Sequence, residues 1–404
     1  MKIVTCGIAA ALSLMGLLAA LPAAAGGKPE SEKPAAQPAA SAQEDLGRID
    51  PWIVNVRKDY LKYQGDIPAS FRGPNGQKVT WSSDSLVLTA SEVQKIRAGK
   101  HKVAVCWHVL SGDYIAAWRK GILDTCDYLG IKVVAETDAN YDPGKQKADV
   151  ETVIPLKPDV IISVPIEPVT SAEAYRPAIQ AGIKIALGSN QPQGYVHGKD
   201  YIGITTANTH SRGLVAVDLI REKIGEHSKV ALVTWGVDYW FTKYADNLVR
   251  STLQQKYPGI QIVADEQFVN WEEAGSVAAA VIQKHPDLNG IYTTYVSSAL
   301  PIASACVDAG RPDIRVVTNN IDEPTLVNLL RGGNIAGTGE DMTYNIGVDC
   351  VLLAAYGMLN KDGPEYSVVP VMKVTRENVR EAWNLTKRIP ISATLEAELK
   401  TAGF

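Results

Sequence analysis

Most side chains suited to ligand chemistry follow directly on short runs rich in β-branched residues. Lys102–Trp107 runs into Trp107-His108 and then Ser111-Gly112-Asp113-Tyr114. Asp159–Val164 is followed by Pro165-Ile166-Glu167, and Ile183–Leu187 by Gly188-Ser189-Asn190. Further along come Trp235 with Asp238-Tyr239-Trp240, then Asn270-Trp271, Tyr295, Asn319-Asn320 with Asp322, and finally Glu340-Asp341. Trp107, Trp235, Trp240 and Trp271 are four of the eight tryptophans. Aromatic faces beside amides and carboxylates suit a sugar or polyol: the ring stacks on the C–H face, and planar acceptors take the hydroxyl hydrogens. Charged acceptors bind hydroxyls more strongly than neutral ones. Catalytic signatures are absent: there is no G-x-S-x-G, no phosphate-binding glycine loop and no H-E-x-x-H. No cofactor is expected and the chain is not read as an enzyme.

Several of these residues have a second reading. Trp107 serves equally to cap a sheet, and a histidine at a strand end, like His108, is more often structural than a ligand contact. Trp118, one helical turn past Tyr114, belongs to the core. Glu167 is either a strand-tip ligand or an acid at a helix start. Asn319-Asn320 also fits a turn, and Asp322 a cap for the helix Glu323–Leu330.

The elements that must position these clusters are strands alternating with amphipathic helices from Lys102 onward, which means βαβ units and a mostly parallel α/β sheet. Helices are expected near 114–129, 144–155 and 170–181, then near 208–224, 239–256, 272–284 and 297–309. Strand starts at 102, 131, 158 and 183 recur at 229, 260, 288 and 314, at offsets of 127, 129, 130 and 131. A near-constant offset predicts two similar doubly wound lobes. A strand (335–339), a helix (342–359) and a strand (367–374) follow. In such sheets ligands bind beyond the carboxyl ends of the strands, and between two lobes the cleft is the favoured pocket. Residues 46–100 form an extension whose role is not readable. Within it, Pro51 opens a short helix and Thr89-Ala90-Ser91-Glu92 is a capping box.

The first 25 residues have the order of a secretory signal peptide: Lys2, an apolar run Ile8 to Leu21, and Ala23-x-Ala25. Residues 26–45 read as a Pro- and Ala-rich tether. The expected location is therefore extracytoplasmic, in the periplasm. Four cysteines remain after processing: Cys106, Cys126, Cys306 and Cys350. Buried free thiols are the preferred reading. If one pair forms, it is Cys126 with Cys350, and no spacing supports a metal site. The net charge of −4 lacks the basic footprint of a nucleic-acid binder and fits a neutral ligand.

The segments KVAVCWHVLSGDYIAAWRKGILDTCDYLGIKVV, KPDVIISVPIEP, HPDLNGIYTTYVSSALPIASACVDAG and IRVVTNNIDEP resemble the ribose/galactose class of periplasmic sugar-binding proteins, over about residues 100–375. The resemblance implies the type 1 periplasmic binding protein fold, with lobe 1 at 100–206 plus 342–367 and lobe 2 at 207–341 plus 368–390. It implies a hinge of three crossovers near 205–209, 340–343 and 365–369. It also implies a monomeric receptor that delivers a sugar to the permease of an ABC transporter. By resemblance, the aromatic after the first strand falls on Tyr114, with Ile115 replacing a second aromatic. The acid after the third strand falls on Glu167, and an Asn position falls on Tyr295. An Asp position falls on Asn320, and the last polar cleft residue falls near Glu340 or Asp341. An arginine used by ribose-type members has no clear match around Phe241, where Lys243 is nearest. The same fold also binds polyols and furanosyl signals. A receptor for a sensor kinase or chemoreceptor, and an exported α/β enzyme, are the alternatives.

Overall fold

The computed structural model describes residues 47–404. The signal peptide and the tether read from the sequence lie outside these residues. Two sheets carry the fold. The first has seven parallel strands in the order β1 (Val79–Trp81), β12 (Tyr366–Val369), β6 (Ile204–Ala207), β5 (Lys184–Gly188), β4 (Val160–Ser163), β2 (Lys102–Trp107) and β3 (Lys132–Asp138). The second has six: β13 (Val371–Val374), β11 (Ile335–Asp341), β10 (Arg315–Asn319), β9 (Gly290–Thr293), β7 (Ser228–Trp235) and β8 (Ile260–Phe268). All its pairings are parallel except β11 with β13. Helices cover both faces, which is why the central strands are continuous apolar runs instead of alternating ones. The repeat expected from the strand spacing is present: β2, β3, β4 and β5 match β7, β8, β9 and β10 in order and pairing.

The chain passes between the sheets three times: at Asn208, between β6 and the helix Thr209–Lys223; at Met342, between β11 and the helix Thr343–Met358; and at Pro370, between β12 and β13. The single strand expected over 367–374 is thus two strands in different sheets. Pro370 has no N–H for a ladder, so pairing stops there and restarts in the other sheet.

The segment ahead of Lys102 is no detached extension. β1 pairs with β12 and adds an edge strand to the first sheet. The helix Pro51–Arg57 is capped by Asp50, and Ala90–Gly99 by the expected capping box of Thr89 and Glu92. These elements cover the helix Thr343–Met358, so every residue from Thr343 to Gly357 is buried. On another side it crosses the helix Gly112–Leu129 very closely. A Cβ on Gly121 would lie 2.0 Å from the Tyr344 carbonyl oxygen, and one on Gly347 would lie 2.1 Å from that of Trp118. Asp349, buried on this helix, pairs with the equally buried Arg57. Tyr356 donates to the Val87 carbonyl at 2.9 Å. From the same segment, buried Phe71 reaches His210, Trp240 and Tyr244 in the second lobe.

The chain ends in a short helix (Val379–Ala382), a π-turn (Trp383–Lys387) and a helix (Ala393–Thr401). The turn packs on Gly112–Leu129 and the last helix on Glu323–Leu330, so this end also touches both lobes. The four cysteines are free and buried, and Cys126 and Cys350 do not pair. Among the described residues no helix is long and apolar enough to cross a membrane.

Candidate functional site: a charged cleft between the sheets

The carboxyl ends of the strands from both sheets meet around Asp341, the last residue of β11. Its carboxylate is fully buried. Oδ2 accepts from the Tyr114 hydroxyl at 3.2 Å, Arg212 Nη1 at 3.3 Å and Asn320 Nδ2 at 3.1 Å. Oδ1 is buried and has no hydrogen-bond partner. A second hydrogen bond joins Arg212 to Asn320 Oδ1. Next to Asp341, Glu340 accepts the Ile321 backbone N–H at 2.8 Å and the Thr343 hydroxyl at 3.1 Å, and pairs with Lys387 Nζ at 2.8 Å. Burial pushes the Glu340 carboxyl up, and the Lys387 ammonium pulls it back. Two acids and two cations thus share one buried site, and their charges cancel.

Asn320 is placed by backbone geometry. It adopts a left-handed φ of 68° directly after β10, a conformation asparagine tolerates better than most residues. That turn aims its amide back along β11.

Aromatic rings line the second lobe's side. The Arg212 guanidinium lies 5.0 Å from the Tyr295 ring centre and 5.3 Å from that of Phe241. Trp235 and Trp271 stack with centroids 5.1 Å apart, and Tyr295 presents edges to both. Below this wall, buried Asp246 accepts hydroxyl hydrogens from Tyr292 at 2.7 Å and Thr294 at 2.9 Å. Desolvation pushes its carboxyl up to about 6.

The first lobe's wall is built differently. Tyr114 contributes its hydroxyl to Asp341. His108 sits edge-on to Tyr141 and near Trp118. Its Nδ1 is buried without a partner, and burial lowers its pKa to about 4, so it is neutral at pH 7. Asn190 donates to the Pro165 carbonyl at 2.7 Å. Asn190 and Ser189 also interact with the Tyr239 phenol of the opposite lobe, pulling against the burial that raises it to about 12. A further link across the cleft runs from the Glu323 backbone N–H to Asp113 at 3.4 Å.

Of the residues singled out in the sequence, Tyr114, Tyr295, Asn320 and Asp341 converge on one network. Trp235, Trp271, Tyr239, Asn190 and His108 surround it. The others are placed elsewhere. Trp107 is 1% exposed and edge-on to Trp118 in the core, its indole nitrogen 3.4 Å from Glu136. Trp240 stacks on Phe71 and meets Tyr366 edge-on, under the N-terminal segment. Glu167 caps the helix Pro168–Gln180, accepting from the Val169 and Thr170 amides. Asp238 is solvent-exposed and 3.4 Å from Lys243. Asn270 hydrogen-bonds Glu273 at a helix start. Asp322 caps Glu323–Leu330 through Thr325.

Sequence reasoning missed Arg212 and Lys387. Arg212 lies in the first turn of a helix, where a lone basic residue looks unremarkable. Its position just past the first crossover is the signal that was available. Lys387 gives no such signal, because its segment follows the last strand. A cavity of about 560 Å³ lies far from this network, at the amino ends of β4 and β5, lined by His101, Pro155, Lys157, Asp159 and Lys184. Parallel sheets bind ligands at the other end.

This topology, with two doubly wound sheets, three crossovers and polar groups gathered where they meet, defines a two-lobed solute-binding fold. A periplasmic binding protein domain matches residues 103–361, and the chain belongs to that family. It is 24% identical over 210 residues to the ribose import binding protein RbsB of Bacillus subtilis, 52% of this chain and 66% of the relative, just under two thirds of its length. The arabinose-binding protein AraP of Geobacillus stearothermophilus superposes with a TM-score of 0.63 at 23% identity, covering 70% of this chain and 99% of that one. An ABC transporter periplasmic solute-binding protein of Actinobacillus succinogenes with bound D-allose gives 0.62 at 20% identity, over 70% and 100%. These likenesses cover the two lobes and share the type 1 periplasmic binding protein architecture.

Proposed function

We propose that this chain is an extracytoplasmic receptor that closes its two lobes on a neutral sugar or polyol and delivers it to the permease of an ABC importer. The observation that carries this reading is Asp341: a buried carboxylate with three donors on Oδ2 and none on Oδ1. A buried acceptor without a partner costs about 1–3 kcal/mol, more when charged, and a ligand hydroxyl relieves that cost. The paired charges favour a neutral ligand, and the aromatic wall offers ring faces to its C–H surface. No chemistry is done on the ligand. It favours the closed form because only there do both walls reach it. Relatives named for ribose import and arabinose binding, and one with bound D-allose, support the same class, as does an N-terminus that reads as an export signal.

The test is a thermal-shift and tryptophan-fluorescence titration with aldopentoses, aldohexoses and their alditols. A true ligand at 100 times its Kd stabilises the protein by about 2.7 kcal/mol. Silence of both readouts across the panel would sink the proposal.

A further inference from the structure

Lys387 lies beyond the family-matched residues, on a turn after the last strand, yet its side chain is fully buried at the cleft floor. An ammonium is rarely buried without a partner, and here the partner is Glu340, itself 0% exposed. Glu340 in turn anchors the turn after β10, through the Ile321 N–H at 2.8 Å and Asn320 Nδ2 at 3.4 Å. Asn320 then donates to Asp341 Oδ2. Lys387 Nζ also lies 5.2 Å from the centre of the Tyr114 ring, whose hydroxyl donates to the same oxygen. The groups facing the two acids are therefore Lys387 from the C-terminal segment, Arg212 from Thr209–Lys223, and Tyr114, Tyr295, Asn320 and Thr343 from the surrounding elements. Arg212 attends to Asp341, so only Lys387 balances Glu340.

We propose that Lys387 is a positioning residue of the cleft: its charge lets Glu340 stay a carboxylate, which fixes Asn320 and keeps Asp341 Oδ1 available to a ligand hydroxyl. The C-terminal segment is on this view part of the binding site. The ligand half of the inference rests on the sugar reading above; the charge half does not.

The experiment compares melting temperatures of the full chain from pH 5 to pH 8 for wild type, Lys387→Met, Lys387→Arg and the double variant Lys387→Met/Glu340→Gln. Without the ammonium, Glu340 binds a proton in the folded state that it lacks in the unfolded one. Stability then falls as pH rises through that raised pKa. The deficit of Lys387→Met against wild type should be larger at pH 8 than at pH 5, by roughly 3 °C or more. Lys387→Arg should remove most of it, and Glu340→Gln should cancel its pH dependence. A deficit equal at every pH, or unrelieved by Glu340→Gln, means a packing role and overturns the proposal. With any sugar that stabilises wild type, the folded double variant should bind about tenfold more weakly; unchanged affinity overturns the link to the site. If no sugar stabilises wild type, the sugar reading fails, and the melting series still decides the role of Lys387.

Discussion

The two walls of the cleft are unequally equipped. The second lobe brings Arg212, Asn320 and, at the end of β11, Glu340 and Asp341, all buried and interlinked, with Tyr295 and two stacked tryptophans beside them. The first lobe brings Tyr114, a neutral His108 and Asn190, none of them fully buried. The difference is one of preorganisation. A wall whose polar groups already hold one another presents a fixed acceptor, whereas the opposite wall supplies shape and a few hydrogen bonds on closure. A duplicated fold has therefore kept its architecture twice and placed its charge once.

The strongest way to break this comparison is Arg212→Ala. It strands the Asp341 carboxylate in a buried site and should cost about 3–5 kcal/mol, read by chemical denaturation. The corresponding change on the other wall, Asn190→Ala, should cost about 1 kcal/mol. If the two are equal, the second wall is not the preorganised one.

The pH dependence of stability separates the walls by sign. Asp246, under the second wall, has a folded pKa of about 6, against ~3.9 unfolded. The folded state binds more protons there, so this stabilisation is present at low pH and is lost as pH rises from about 4 through 6. His108, on the first wall, has a folded pKa of about 4, against ~6.5 unfolded. Its contribution is present above about pH 6.5 and is lost as pH falls towards 4. The two slopes oppose, each worth up to about 3 kcal/mol. Relative to wild type, Asp246→Asn should lose stability as pH falls from about 6 to 4, and His108→Gln should gain it over the fall from about 6.5 to 4. Slopes of the same sign in both variants would contradict the assignment.

A smaller effect is expected on binding. Asp341→Asn should weaken whichever sugar binds by about 1.5–3 kcal/mol, the worth of a hydrogen bond to a charged group. Trp271→Ala should cost about 0.5–1.5 kcal/mol, as loss of one aromatic contact does. A larger loss at Trp271 than at Asp341 would make the aromatic wall the anchor instead.

Much of the fold is legible in the sequence. Strand periodicity and the recurring offset placed β2 to β5 and β7 to β10 within two residues, because buried parallel strands leave continuous apolar runs. The split of 367–374 was not read, although Pro370 marked it. The N-terminal segment was opaque for another reason: its partner, the helix Thr343–Met358, is almost 300 residues away in sequence, and no local pattern reveals that Arg57 neutralises Asp349. At the site, Tyr114, Tyr295, Asn320 and Asp341 were visible as strand-tip residues. Glu167 and Asn270 sit at helix starts instead: the Glu167 carboxylate accepts the orphan Val169 and Thr170 amides, and the Asn270 side chain donates to Glu273, which itself accepts the Val269 and Asn270 amides.

The sequence by itself determined the class of fold, the duplication and the end of the strands at which a ligand sits, since these follow from periodicities a few residues long. Only the tertiary structure decided which polar groups meet. Arg212 and Lys387 come from opposite ends of the second half of the chain, and their charges matter only because folding buries them beside Asp341 and Glu340, where water no longer screens the four groups from one another.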